Sequence, residues 1–168
     1  MSEKTDIRNC RRVVVGMGDD GRSKVVSDGP SPYVKDAFGY IDYAEQWVTP
    51  SPPPVAGETF EDAAANAPEG LEPDDPHGTL LRTSVYQPDP PGFDVSLGMH
   101  ATRTVDFAFI MRGEMTCVLD DGEVTLRAGD VIVQRGGRHA WSNRSGEPAQ
   151  IGFVMVAALD HDNAGAPS

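Results

Sequence analysis

Short runs in which apolar and polar positions alternate, each closed by Gly, Asp or Pro, organise this chain. Val13–Val15 is an apolar run closed by Gly18-Asp19-Asp20-Gly21 and followed by Lys24–Ser27, which predicts a hairpin with an Asp/Gly turn. Asp28-Gly29-Pro30-Ser31-Pro32 ends that unit. Tyr40–Thr49 is rich in aromatic and β-branched residues and free of Gly and Pro, which favours a strand, with a helix of one to two turns as the competing reading. From Pro50 to His77 the alternation lapses. Ser51-Pro52-Pro53-Pro54 opens a loop or lid, Glu58–Asn66 has room for a short helix, and Glu72-Pro73-Asp74-Asp75-Pro76 closes it.

The second half is more regular. Strands are predicted at Thr79–Gln87, Phe93–Leu97, Val105–Met111, Glu114–Leu119, Glu123–Leu126, Val131–Gln134, His139–Asn143 and Ala149–Leu159, with corners at Arg112-Gly113, Asp120-Asp121-Gly122, Ala128-Gly129-Asp130 and Gly136-Gly137. Strands this short and this evenly punctuated define an all-β antiparallel sandwich or barrel with a mouth able to hold a ligand. The organisation is one domain: N-terminal strands over 1–50, a Pro- and acid-rich loop over 51–78, the barrel over 79–160 and a tail over 161–168.

Composition narrows the partners. The chain has 168 residues, and its 18 Gly and 14 Pro argue against a long helical bundle. Against 26 acidic side chains stand 14 basic ones, a net charge of −12, so neither nucleic acid nor an anionic membrane is an expected partner. No apolar run approaches the ~18 residues of a membrane span and Met1–Arg12 is too polar for a secretory signal, so the expected location is the cytoplasm. Cys10 and Cys117 cannot build a disulfide framework or a CxxC metal site and are expected as free thiols.

The chemistry concentrates at two places. His77 and His161 lie in polar surroundings and read as solvent-exposed, whereas His100 and His139 each stand where a strand begins, at a rim. In extended chain His100, Thr102, Thr104 and Asp106 share one face, and a carboxylate there among apolar neighbours needs a cation, a proton or several donors. His139, Trp141 and Asn143 share a face in the same way, offering a base or ligand, a stacking surface and an orienting amide. Arg82, Arg103 and Arg138 are candidates to orient an anionic substrate, with simple surface exposure as the alternative. Tyr40, Tyr43, Trp47, Phe107, Phe109 and Phe153 read as core, and Trp141 as pocket.

These two stretches resemble the paired motifs of the cupin superfamily, small double-stranded β-helix (jelly-roll) proteins. The first family motif carries two histidines, a glutamate and a closing glycine. Here His100 takes the first histidine position, Thr102 the second, Asp106 the glutamate and Gly113 the glycine, while Asp94 stands where the opening glycine belongs. In the second motif Gly136, His139 and Asn143 match, Gln134 replaces the proline, and Gly129 lies one residue too close. The resemblance runs from about Thr79 to Leu159 and implies a cupin barrel with extra N-terminal strands.

It further implies a small-molecule enzyme acting on a small organic acid or natural-product intermediate by dioxygenase, isomerase, decarboxylase or lyase/cyclase chemistry. Two branches follow for the site. Either His100, Asp106 and His139 hold one divalent metal (Fe, Mn, Ni or Zn), or the same three work without metal by acid–base catalysis. Trp141, Asn143, Thr102 and Arg103 are the expected substrate contacts. No nucleotide cofactor is expected. A non-catalytic ligand-binding module is the competing function, and a homodimer paired through the N-terminal strands is the expected assembly.

Overall fold

The computed structural model of the chain describes Asp6 and residues 10–50 and 62–159. Almost all regular structure is antiparallel strand: β1 (Arg11–Met17), β2 (Ser23–Pro30), β3 (Val34–Ala37), β4 (Ile41–Thr49), β5 (Thr79–Tyr86), β6 (Thr104–Arg112), β7 (Glu114–Leu119), β8 (Gly122–Arg127), β9 (Val131–Arg135), β10 (His139–Ser142) and β11 (Ala149–Ala157). A six-stranded sheet in the order β3-β4-β5-β11-β6-β9 faces a three-stranded sheet in the order β10-β7-β8. This is the expected all-β double-stranded β-helix.

The core lies between the sheets. Leu80, Ala108, Ile110, Ile151, Phe153 and Met155 from the larger sheet meet Met115, Cys117, Leu126 and Trp141 from the smaller one. Alternation along β6 explains the division: Thr104, Asp106, Ala108 and Ile110 face in, while Phe107, Phe109 and Met111 face out. Phe107 and Phe109 are therefore exposed rather than core, because the row that includes Asp106 is the one turned to the interior.

The corner after β6 depends on Gly113. Its φ is +77°, and a Cβ there would stand 2.9 Å from both the Pro148 oxygen and Ala149 Cα, so only glycine fits.

Two elements depart from expectation. Phe93–Leu97 is not a strand, because Asp94 caps a 3-10 turn over Val95–Gly98, its Oδ1 accepting from the Ser96 amide (3.0 Å) and hydroxyl (2.6 Å). Strand β3 adds an N-terminal partner for β4 that the alternation does not mark. The hairpin of β1 and β2 forms as predicted but as a separate two-stranded sheet. It is tied to the body by buried Arg12, which donates to Asp62 (2.6 and 2.8 Å) and to the Gln46 carbonyl (3.1 Å). Of the 51–78 loop, 51–61 lies outside the described residues; Ala63–Asn66 is a short 3-10 helix capped by Asp62, within the Glu58–Asn66 stretch read as having room for one. No helix among the described residues is long and apolar enough to cross a membrane.

Candidate functional site

One cavity of about 290 Å³ opens between the sheets, and its wall includes His100, Thr102, Asp106, His139 and Trp141. The two histidines meet through an isolated backbone bridge, each amide bonding the other's carbonyl at 2.8 and 2.9 Å, and their rings stand 4.6 Å apart. Each ring is oriented by its own chain: His100 Nδ1 contacts the Gly98 carbonyl at 2.8 Å and His139 Nδ1 the Gly137 carbonyl at 2.9 Å. With Nδ1–H donated to a carbonyl, the neutral ring keeps Nε2 as a lone-pair acceptor. Burial lowers the pKa of His139, which favours that neutral form.

Asp106 is 3% exposed on the inner face of β6. Its Oδ2 lies 3.5 Å from the Thr102 hydroxyl, which itself accepts from Thr104 at 2.7 Å, and its Oδ1 has no hydrogen-bond partner among the described residues. Desolvation raises the Asp106 pKa against the lowering effects of Thr104, His139, Thr102 and His100. A buried carboxyl inclined to hold its proton and a buried imidazole inclined to lose one thus share a wall.

The donor set does not fit a metal centre. Among the described residues no group of three His, Cys, Asp or Glu side chains is placed to hold an ion. Thr102 puts a hydroxyl at the second histidine position and directs it at Asp106, so the strong donors left are two imidazoles and one carboxylate, which the described residues do not gather around one ion.

Two expected contacts lie elsewhere. Arg103 is exposed and joins Glu72 through its amide (2.6 Å) and guanidinium (3.3 Å). Asn143, just past the end of β10, is 1% exposed and fastens a loop: Nδ2 donates to the Tyr86 and Glu147 carbonyls (2.9 and 2.8 Å), and Oδ1 accepts from the amide and hydroxyl of Ser145. Arg138 is exposed, 3.6 Å from Asp120.

The N-terminal strands supply what alternation in the second half could not reveal. Tyr40 and Tyr43, expected as core, line the cavity with Phe38, and Phe93 closes on Tyr40 edge to face at 5.3 Å. Arg82 is neither surface nor free. It is buried against fully buried Glu45, with Nη2 2.6 Å from Oε1, donates to the carbonyls of Gly70 and Leu71, and lies 4.4 Å over the Tyr43 ring. Regular pairing of β4 with β5 sets Glu45 opposite Arg82, and a bulge follows it, where the register shifts between Glu45 and Trp47.

An antiparallel β-helix with a histidine- and carboxyl-lined cavity between its sheets defines a class of small barrel proteins. Residues 87–156 match the family described as Cupin domain. The chain is 41% identical to "Phomopsin biosynthesis cluster protein C'" of Diaporthe leptostromiformis, over 42% of this chain and 35% of that protein. It is 38% identical to the "Cupin-domain-containing oxidoreductase virC" of Hypocrea virens, over 50% of this chain and 41% of that protein. These matches thus span well under half of those relatives' length. The "Cupin-domain-containing oxidoreductase fogC" of Aspergillus ruber is 27% identical over 95% of this chain and 78% of its own. Among solved structures an RmlC-like cupin from Shewanella frigidimarina covers 76% of this chain and 85% of its own, at 13% identity and a TM-score of 0.45.

Proposed function

We propose that this protein is a cupin-type biosynthetic enzyme that moves protons on a small natural-product intermediate without a metal. The observation that carries the reading is the pairing in one cavity of His139, whose Nδ1 is committed to Gly137, with Asp106, whose buried Oδ1 has no partner among the described residues. Pairs of titratable groups driven in opposite directions are how one site supplies both an acid and a base. The biosynthetic setting draws support from the relatives named for phomopsin and oryzine clusters, and the choice of an enzyme over a binding module from those whose names mark them as enzymes.

The chemistry follows from the two groups. Asp106 gives its proton to a substrate carbonyl oxygen as His139 Nε2 removes a proton from the adjacent carbon; a C–H bond breaks, a C=C bond forms and the oxygen becomes an enol. Return of the His139 proton at another carbon gives isomerisation. Loss of a leaving group instead gives elimination. Thr102 and Thr104 hold the Asp106 carboxyl in place, and the His100 ring packs tilted against that of His139. Trp141 flanks that ring edge-on at 6.3 Å and offers a stacking surface.

The test is proton exchange. The protein is incubated in D2O with β-tetralone, an enolisable ring ketone, and deuterium uptake is followed by NMR. Catalysed exchange is expected, with His139→Gln and Asp106→Asn each slowing it on the order of 10²–10⁴-fold and EDTA leaving it unchanged. Exchange untouched in both variants overturns the reading. Loss with EDTA and recovery with a divalent metal replaces it with the metal-dependent branch on His100, Asp106 and His139.

A further inference from the structure

We propose that the cavity takes an uncharged molecule of one or two fused rings, and that Phe38 is the residue that closes over it. The proposal rests on the ligand-pocket reading above and adds the class of ligand. Three independent features carry it.

The first is charge. A carboxylate or phosphate substrate needs a free cation, and Arg82 is the only Arg or Lys in the described cavity wall. Its guanidinium is neutralised by Glu45 and further used by the carbonyls of Gly70 and Leu71, so it has no charge left to give. The net charge of −12 also disfavours the approach of an anion. The organic-acid half of the expectation from family resemblance therefore has no counterpart in the wall.

The second is shape. Two groups of aromatic rings line the cavity: Phe38, Tyr40 and Phe93 pack in a chain 6.3 and 5.3 Å apart, and Trp141 meets Phe153 edge-on at 5.9 Å. The faces and edges they turn to the cavity offer a flat π-system stacking and edge-on contacts. A cavity of about 150 Å³ holds benzene, so the space of about 290 Å³ accommodates a second fused ring.

The third is Phe38 itself. It is the only non-glycine among the described residues with positive φ, at 64°, and it is 85% exposed at the tip of the β3–β4 turn while still lining the cavity. Asn or Gly suits that backbone better, and a large ring in solvent contributes little to folding. Its position is accounted for by a ligand ring it can cover.

The experiment is calorimetric titration of the intact protein with β-naphthol and β-naphthoate, probes of one shape and different charge. The expected result is that β-naphthol binds, that β-naphthoate binds roughly tenfold more weakly or worse, and that Phe38→Asn weakens β-naphthol about five- to tenfold. Asn tolerates the left-handed backbone, so this variant keeps the turn, and an unchanged melting temperature confirms it. Equal or tighter binding of β-naphthoate, no binding of β-naphthol, or an unaltered affinity in Phe38→Asn overturns the proposal. Because the titration reads no turnover, it is separable from the proton-exchange result that tests the catalytic reading.

Discussion

Replacing Asn143 by alanine separates a loop fastener from a substrate contact. The side chain is 1% exposed and engaged in four hydrogen bonds, two given to the Tyr86 and Glu147 carbonyls and two taken from Ser145. Ser145 and Glu147 are exposed, so water replaces their lost partner at little cost. The bond to the Tyr86 carbonyl is part-buried at the end of β5. Its loss and the net remainder of the other three, at about 0.5–1.5 kcal/mol per bond, come to about 2 kcal/mol. For a chain of this size that lowers the melting temperature by roughly 4–8 °C. Urea denaturation should register the loss as a lower midpoint at constant slope. The same variant should bind β-naphthol with unchanged affinity. Unaltered stability together with affinity weakened roughly tenfold, about 1.4 kcal/mol, would refute the assignment and return Asn143 to the cavity.

Other expectations follow from the same geometry. Glu45→Ala leaves the buried Arg82 guanidinium without its counter-charge and should cost about 3–5 kcal/mol, with Glu45→Gln milder; a midpoint within error of the parent would contradict the burial of the pair. Asp106 has a folded pKa above its unfolded value, so its contribution is favourable at low pH and is lost as pH rises through the folded value. Asp106→Asn should accordingly be more stable than the parent at neutral pH, the gap closing as pH falls toward 3.8, and urea midpoints across that range would expose the opposite trend. The outward row Phe107, Phe109, Met111, Val131 and Val133 and the exposed Val13, Val15, Met17 and Val25 of the hairpin are apolar surfaces of one chain able to cover each other in a second copy. Light scattering is therefore expected to give twice the 18.0 kDa of the chain and to drop to the monomer value in Phe109→Glu; a parent monomer at micromolar concentration would count against it.

Strand β6 was legible because its period of two is unbroken from Thr104 to Met111, and β7 to β9 because Gly and Asp punctuate them. Periodicity assigns residues to a common face but not that face to the interior. Aromatic content pointed Phe107 and Phe109 inward, while the structure turns the Asp106 row to the cavity. Asn143 was misplaced for a related reason: extended geometry ends at Ser142, so the two-residue rule from His139 no longer applies one position later. Arg103 sits in a bend before β6 and escapes the rule in the same way. Tyr40, Tyr43 and Glu45 reach the site only by long-range pairing of β4 with β5, which no local pattern encodes. The bulge in β4 is likewise invisible without its partner strand.

The separate β1–β2 hairpin, held through Arg12, has a consequence for how the molecule breathes. A two-stranded ribbon is marginal by itself, so its amides should open far more often than those of the packed barrel strands. Hydrogen exchange is then expected to divide the chain into two cooperative units, a labile hairpin and a slow barrel. Arg12→Ala, which cuts the bonds to Asp62 and the Gln46 carbonyl, would release the first unit while leaving the protection of β5, β6 and β11 intact.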